Sequence, residues 1–441
     1  MNINKLEANV LKYINSLVLF YFFMTFLFSR SFVGIYILNL RLGEIFIGLT
    51  FLIYLYIAFF RSKNLNSSLL NKNYRIYLIL IFIYFVILSV MSNSSFLNPY
   101  TYKSSSYIWP ISMLFFGYYS RNLEIKKIHT YFLQVGLILI FYIAIYDIPL
   151  TIQEFVLTIS DKYEPHKGSD LGIFFIIANL LISKHGRYDQ YSFNLYMINL
   201  GLFLPLILYK SRGAFIGILL FSIYELWKYI KNKNIKLIDS LPIMIIFFIL
   251  ATYSTIVSQT KDFPEEISAE IISSSYSSLS EYRLQHYQEE YPILYIEKNR
   301  IYSGDGNLNW RLWMWQDQID YMKENNLLIQ GSGFSDKLFV FNIDNTGYGN
   351  DRKGLDETNE NLHNFFIQIF SRGGFIHLVL IVYFFLVLIY KYLISTRKYD
   401  LLFYVLPLLW ISFFDSSMEN AHFPLIFYYF LGNLYFKENI N

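Results

Sequence analysis

Lys210 and Arg212 interrupt an otherwise apolar run, "NLYMINLGLFLPLILYKSRGAFIGILL" (194–220), with only Ser211 between them. Ser211 has the side chain of a helix N-cap. Arg212-Gly213-Ala214 would then form a first turn, where N–H groups are unpaired and the dipole end is positive. An arginine repels that dipole end, but an anion seated between the two is attracted to both. Phosphate fits best, because a guanidinium grips it bidentately and a helix start binds it through backbone N–H groups. Gly213 would let such a ligand approach the backbone. The alternative is that Lys210 and Arg212 snorkel to lipid headgroups and cap the helix ends.

A second set of reactive types lies further on. In "LNWRLWMWQDQIDYMKENNLLIQGSGF" (308–334), Leu312, Trp315, Ile319 and Met322 share one face of a helix expected over 309–323. Its three tryptophans suit an interfacial helix or one that covers a core. Arg311 repeats the oddity of Arg212, a cation in a helix's first turn, and "GSGF" (331–334) then makes a tight turn. In "DETNENLHNFFIQIFSRGGFIHLVL" (356–380), His363 opens the next apolar helix. Glu360, three residues earlier, can orient the imidazole and raise its basicity. His363 is thus a candidate general base, with Glu360 or Glu357 as alternatives and a solvated histidine as the bland reading. "SRGG" (371–374) is expected to break the long helix. His377 is expected in the helix interior, and His422 at a helix end is a weaker candidate.

The elements that carry these residues follow from composition. Of 441 residues, 55% are hydrophobic, 20% aromatic and only 16% charged, against roughly a quarter charged in soluble chains. Apolar runs of about 17–20 residues, each able to cross a roughly 30 Å hydrocarbon layer as a helix, recur along the chain. The fold class is an all-α polytopic membrane protein. Twelve spans are expected, at 14–29, 43–60, 75–92, 106–120, 129–147, 170–184, 192–209, 212–230, 236–257, 365–394, 399–416 and 420–436. One large extracytoplasmic loop with short helices would separate helices 1–9 (1–257) from helices 10–12 (365–441), occupying 258–364. Lys and Arg crowd the segments that then face the cytoplasm and are sparse in the short outer ones, which places both termini inside. Lys210 and Arg212 therefore face outward. The first apolar segment ends at "SRSFVG" with no small-residue cleavage site and is expected as a retained helix.

Several chemistries are excluded. No cysteine occurs, so thiolate metal sites and disulfides are absent. No Walker-type loop and no acidic pair at a Mg²⁺-holding spacing is present. No metal, cofactor or nucleic-acid partner is expected.

An outward "SRGA" at a helix start, an "R…W" helix followed by "GSGF", then "HN" ahead of a glycine-broken helix resemble the O-antigen ligase and O-antigen polymerase family. The motifs lie between about Leu195 and Tyr390, and the twelve-span layout is similar as well. The resemblance implies a metal-independent glycosyltransferase of the bacterial cytoplasmic membrane that takes glycan from an undecaprenyl-diphosphate carrier. It implies Arg212 at the diphosphate, Arg311 as a second cationic contact and His363 as a catalytic residue; Lys210, beside Arg212, is a further candidate diphosphate contact by position. Where a residue such as Glu or Asn is expected before the glycine of the tenth helix, Arg372 stands here, as a third phosphate contact or a headgroup anchor. Acceptor glycan or lipid and membrane lipids are the implied partners, and a chain-length regulator is a candidate one. Polymerisation of surface-polysaccharide repeat units is the first reading, ligation of the finished glycan to a lipid or protein the second, and transport of the same lipid the more remote one. Against transport, the polar features gather on one face, without the matching broken helices of repeated halves.

Overall fold

The computed structural model describes residues 3–37, 40–60, 71–96, 98–119, 127–160, 166–231, 240–260, 294–342, 359–419 and 422–435. The described chain is almost entirely helical. In order it forms α1 (Ile3–Phe28), α2 (Arg30–Val33), the hairpin strands β1 (Tyr36–Ile37) and β2 (Leu40–Arg41), α3 (Leu42–Phe60), α4 (Asn71–Met91), α5 (Pro99–Ser104) and α6 (Met113–Tyr119). Then come α7 (Lys127–Tyr146), α8 (Leu150–Ile159), α9 (Gly168–His185), α10 (Gln190–Lys210), α11 (Arg212–Lys231) and α12 (Leu241–Thr260). A second hairpin, β3 (Tyr295–Glu297) and β4 (Arg300–Tyr302), precedes α13 (Gly306–Glu324), α14 (Phe365–Thr396), α15 (Leu402–Phe414) and α16 (Phe423–Tyr435). The chain divides into two compact units, one of Met1–Leu80, Ser105–Lys261 and Tyr383–Asn441, the other of Ile81–Ser104 and Asp262–Val382.

Among the described residues, four helices are long and apolar enough to cross a membrane: Gln190–Lys210, Arg212–Lys231, Leu241–Ser258 and Phe365–Thr396. A fifth arises if Thr130–Tyr146 and Leu150–Ile159, bent by 97°, count as one span. Shorter apolar helices run over Ser16–Phe28, Leu42–Tyr56, Ile76–Met91 and Leu402–Phe414. Apolar side chains stand exposed along α7 and α12, among them Val135 at 63%, Phe248 at 62% and Ile249 at 61%. Such surfaces need acyl chains rather than water around them, and the protein is a helical membrane protein. Two local departures from the expected spans have plain causes. The stretch 106–120 forms a 3₁₀ turn at Trp109–Ser112 before α6, since Pro110 has no N–H to continue an α-helix. Residues 150–159, expected as loop, form α8 beyond the break at Pro149. Leu150, Ile152, Phe155, Leu157 and Ile159 of α8 are all exposed.

The first unit is built around α9, whose residues are buried from Gly168 to Ser183. Glycines let backbones approach closely. A Cβ at Gly117 of α6 would lie 1.9 Å from the Tyr429 carbonyl of α16, and one at Gly432 would lie 2.1 Å from the Leu114 carbonyl. Gly213 and Gly217 of α11 press in the same way on Phe414 and Ile411 of α15. Deep between helices, Gln134, Asn179 and Asn199 satisfy one another: Asn199 Nδ2 donates to Gln134 and Asn179, and Gln134 Nε2 donates to Asn199. At one end of the unit, Lys228 pairs with Asp400 at 3.1 Å and with Glu225 at 3.3 Å, and donates to the Tyr188 hydroxyl.

The second unit centres on α13. Asp305 caps it, its Oδ1 accepting from Leu308 N at 2.9 Å, so the helix starts three residues earlier than the periodicity predicts. The buried face carries Met314, Trp315, Gln318 and Met322, and Met314 and Trp315 cluster with Leu338, Val340, Phe341 and Leu362. The predicted face is therefore rotated by about one residue, with Ile319 only half buried. The β3–β4 hairpin is tied to α13 by Arg300, which reaches Asp317 and Asp320. α14 breaks at Gly374 (φ 68°, ψ −171°), inside the expected "SRGG". Against that break lies the 328–333 turn, where Gly331 and Gly333 have φ near +80°. Ser332 N and Gly333 N donate to the Ser371 and Arg372 carbonyls.

Candidate functional site

α11 begins at Arg212 as expected, and Ser211 Oγ accepts from Ala214 N at 3.3 Å, the bond of an N-cap. Lys210 and Arg212 are both exposed. The turn that carries them is pinned from two sides. A Cβ on Gly168, at the start of α9, would sit 2.6 Å from Ser211 Cβ, and one on Gly213 would sit 2.9 Å from Phe414 Cβ. The face of Gly213 expected to admit a ligand thus receives a phenyl ring, and its service is packing.

Sequence reasoning missed what lies beside this turn. Arg30, at the start of α2, and Asp170, in the first turn of α9, form a buried ion pair at 3.2 Å. Ser29 Oγ donates to Asp170 Oδ2 at 2.7 Å, and Arg30 Nη2 donates to the Ser416 carbonyl at 3.3 Å. Ser169 Oγ donates to Asp415 Oδ2 at 2.5 Å, and Asp415 stands 4.0 Å from Arg30. In the same segment Glu419 is 3% exposed. Burial, reinforced by the charge of Asp415, raises its pKa well above the carboxylate range, against the opposing pull of its own and Met418's backbone N–H groups and of Arg30. His166 is buried with Nε2 3.1 Å from the Phe26 carbonyl, and burial lowers its pKa. One signal was available: Asp170 is a lone acid at the head of an apolar helix, and such residues normally have a partner or a function.

The second unit holds Arg311, Glu360, His363 and Arg372. His363 sits at φ 52°, in the left-handed region, just before α14. Its neighbours fix that backbone: Trp315 Nε1 donates to the Leu362 carbonyl at 2.6 Å, and Leu362 N donates to Gln368 Oε1 at 3.2 Å. Asn364 caps α14, its Oδ1 accepting from Phe366 N and Ile367 N at 3.0 Å each. A non-glycine residue held there against its preference is a known mark of functional positions. The imidazole, half buried, lies 5.3 Å from the Trp310 ring, and Arg311 follows Trp310 in the first turns of α13.

Glu360 is shared between Lys103 at 2.7 Å and Lys337 at 3.1 Å. Burial alone would raise its pKa, but the two lysines outweigh burial and hold it below the usual carboxylate range. A carboxylate held ionised by two cations is a weak base. Asp356 and Glu357 lie outside the described residues. Arg372 is 1% exposed and so is no headgroup anchor. Nη1 donates to the Gly333 and Asp336 carbonyls at 3.2 and 2.5 Å, and Nη2 donates to Tyr100 Oη at 2.9 Å. It holds the 333–336 turn from inside. His377 is buried, its ring 5.4 Å from that of Tyr84, and the Tyr84 hydroxyl donates to the Gly373 carbonyl at 2.7 Å.

Residues 197–382 match the family described as O-antigen ligase, a stretch that includes Lys210, Arg212, Arg311, Glu360, His363 and Arg372. Arg30, Asp170, Asp415 and Glu419 fall outside it. No curated protein matches the chain.

Proposed function

Because residues 197–382 carry a domain of the O-antigen ligase family, we propose that this membrane protein transfers glycan from an undecaprenyl-diphosphate carrier on the outer face of the bacterial cytoplasmic membrane. The observation that carries this reading is the exposed Lys210-Ser211-Arg212 turn at the capped start of α11. Two cations and a helix start can neutralise a diphosphate as it leaves the anomeric carbon. Each charged hydrogen bond so formed contributes roughly 1.5–3 kcal/mol. In this reading His363 takes the proton of the attacking hydroxyl, Arg311 supplies a further cationic contact, and in-line attack inverts the anomeric centre. Arg372, expected as a phosphate contact, is better read as the residue that holds the turn before α14. The twelve-span arrangement, with both termini cytoplasmic, is supported by the distribution of Lys and Arg along the chain.

Polymerisation of repeat units is the first form of the reaction. Ligation to a separate acceptor is the second. Purified protein in liposomes, given the lipid diphosphate oligosaccharide alone and then with a separate acceptor, separates them. Laddered products from donor alone mean polymerisation, and transfer only to added acceptor means ligation. If neither lipid-linked nor transferred glycan changes under either condition, the proposal is wrong.

A further inference from the structure

Within the first unit, the segment joining α15 to α16 carries an unusual carboxyl. Glu419 is 3% exposed, and neither Oε1 nor Oε2 has a hydrogen-bond partner among the described residues. The N–H groups of Met418 and Glu419 lie near it without forming a bond of good geometry. Its own carbonyl, by contrast, accepts from Ser106 Oγ at 2.6 Å, so the backbone is held while the side-chain oxygens are left over. A buried polar group without a partner is destabilising, and such groups persist where something else fills the gap.

The surroundings say what that is. Asp170 and Asp415 lie in the same cluster, and Arg30 is already engaged by Asp170 and Ser416. With Arg30 engaged by Asp170 and Ser416, the cluster has nothing like the paired cations of the 210–212 turn to attract a phosphate. A metal ion has no support either, since no set of three metal-ligating side chains occurs among the described residues. A buried carboxyl, able to accept and when protonated to donate, beside further carboxyl groups and serines suits a neutral molecule rich in hydroxyl groups. The cluster also adjoins the cationic turn: Gly168 packs on Ser211 two residues before Asp170, and Gly213 packs on Phe414 next to Asp415. Residues 415–419 form no helix or strand and are held by side-chain contacts, from Ser106 to the Glu419 carbonyl, Ser169 to Asp415 and Arg30 to the Ser416 carbonyl.

We propose that the 415–419 segment is a sugar-binding subsite, in which the Glu419 carboxyl exchanges hydrogen bonds with hydroxyl groups of the glycan while Ser169 and Arg30 hold the neighbouring Asp415. The proposal deepens the glycosyl-transfer reading and rests on it for the identity of the sugar. The hydroxyls belong either to the donor or to the acceptor glycan.

Full-length protein and its Glu419→Leu and Glu419→Gln variants test this by two measurements. The first is the thermal unfolding midpoint in detergent, with and without lipid-free, phosphate-free oligosaccharide released from the carrier by mild acid. The second is transfer from the lipid diphosphate donor, with KM measured separately for donor and acceptor. Wild type is expected to gain thermal stability from the oligosaccharide. The leucine variant should keep or exceed the unliganded midpoint, lose the gain on adding sugar and fall at least tenfold in kcat/KM for one of the two substrates, which identifies the occupant. The glutamine variant, which keeps an acceptor oxygen, should retain part of both. A leucine variant that unfolds earlier and is rescued by glutamine without sugar would show a structural carboxyl and overturn the proposal. So would a wild type indifferent to the oligosaccharide, or a leucine variant with unchanged transfer, and either leaves glycosyl transfer standing. If wild type transfers nothing yet responds to sugar only through Glu419, the transfer reading falls and the subsite remains.

Discussion

Arg30 and Asp170 face each other at 3.2 Å, 8% and 0% exposed, although 140 residues separate them in the chain. The pair joins the end of the first apolar helix to the start of α9, the most buried helix of its unit, and Asp415 borders it. Removing one partner of such a pair leaves a buried charge uncompensated, which destabilises by about 3–5 kcal/mol, whereas replacing both with apolar residues is often neutral. Arg30→Met and Asp170→Leu should each lower the detergent-solubilised unfolding midpoint sharply. The double variant should recover most of the loss. Equal midpoints for the two single variants and wild type would mean that the pair adds nothing to stability.

Arg212→Ala should abolish polysaccharide product while protein remains in the membrane at wild-type abundance, because Arg212 is exposed and its removal leaves no cavity. Arg212→Lys should be impaired nearly as much, since an ammonium cannot reproduce a bidentate fork. Product analysis beside immunoblotting decides this, and full turnover from the lysine variant would show that charge alone suffices.

His363→Ala should lower turnover by about 10²–10⁴-fold, the usual contribution of a general base, and change donor affinity much less. Rapid-mixing turnover set against donor-binding isotherms separates the two. Equal losses in both would assign His363 to binding.

The Glu360 ion pairs give the second unit a pH signature. Its folded pKa is depressed, so the stabilisation is present above the unfolded value of about 4.3 and is lost as pH falls through the lower folded value. Glu360→Gln should flatten the fall of the unfolding midpoint below about pH 4.3. An unchanged acid limb in that variant would exclude the Lys103 and Lys337 contacts as its source.

The chain has no native cysteine, so single cysteines report sidedness cleanly. Ser335→Cys should react with a membrane-impermeant maleimide in intact spheroplasts, and Lys398→Cys only after permeabilisation. The reverse pattern would invert the orientation and remove the outward site.

Much of the helical framework was legible because apolar runs of membrane length leave few other options, and because Ser211, "GSGF" and "SRGG" each carry local backbone chemistry. Ser211 caps α11, and α14 breaks at Gly374. Local chemistry is also where legibility stopped. Gly213 reads as room for a ligand until Phe414, two hundred residues on, is seen to fill it. Glu360 reads as the orienter of His363 until Lys103 and Lys337 claim it. Arg372 reads as an outward cation, yet its donors turn inward to Gly333, Asp336 and Tyr100. Asp415 and Glu419 carry no signal in "FFDSSMEN", since nothing near them in sequence tells that one is bonded and the other bare.

The sideways course of α8 bears on how the protein sits in its bilayer. A spanning helix meets a thinner or thicker membrane by tilting, and α8 is turned 97° from the direction of α7. Leu150, Phe155 and Leu157 stand exposed on it, and acyl tails are the surroundings that suit them. With α7 upright in a bilayer, α8 would lie crosswise, and a change in lipid chain length would be met there by the leaflet rather than by helix tilt.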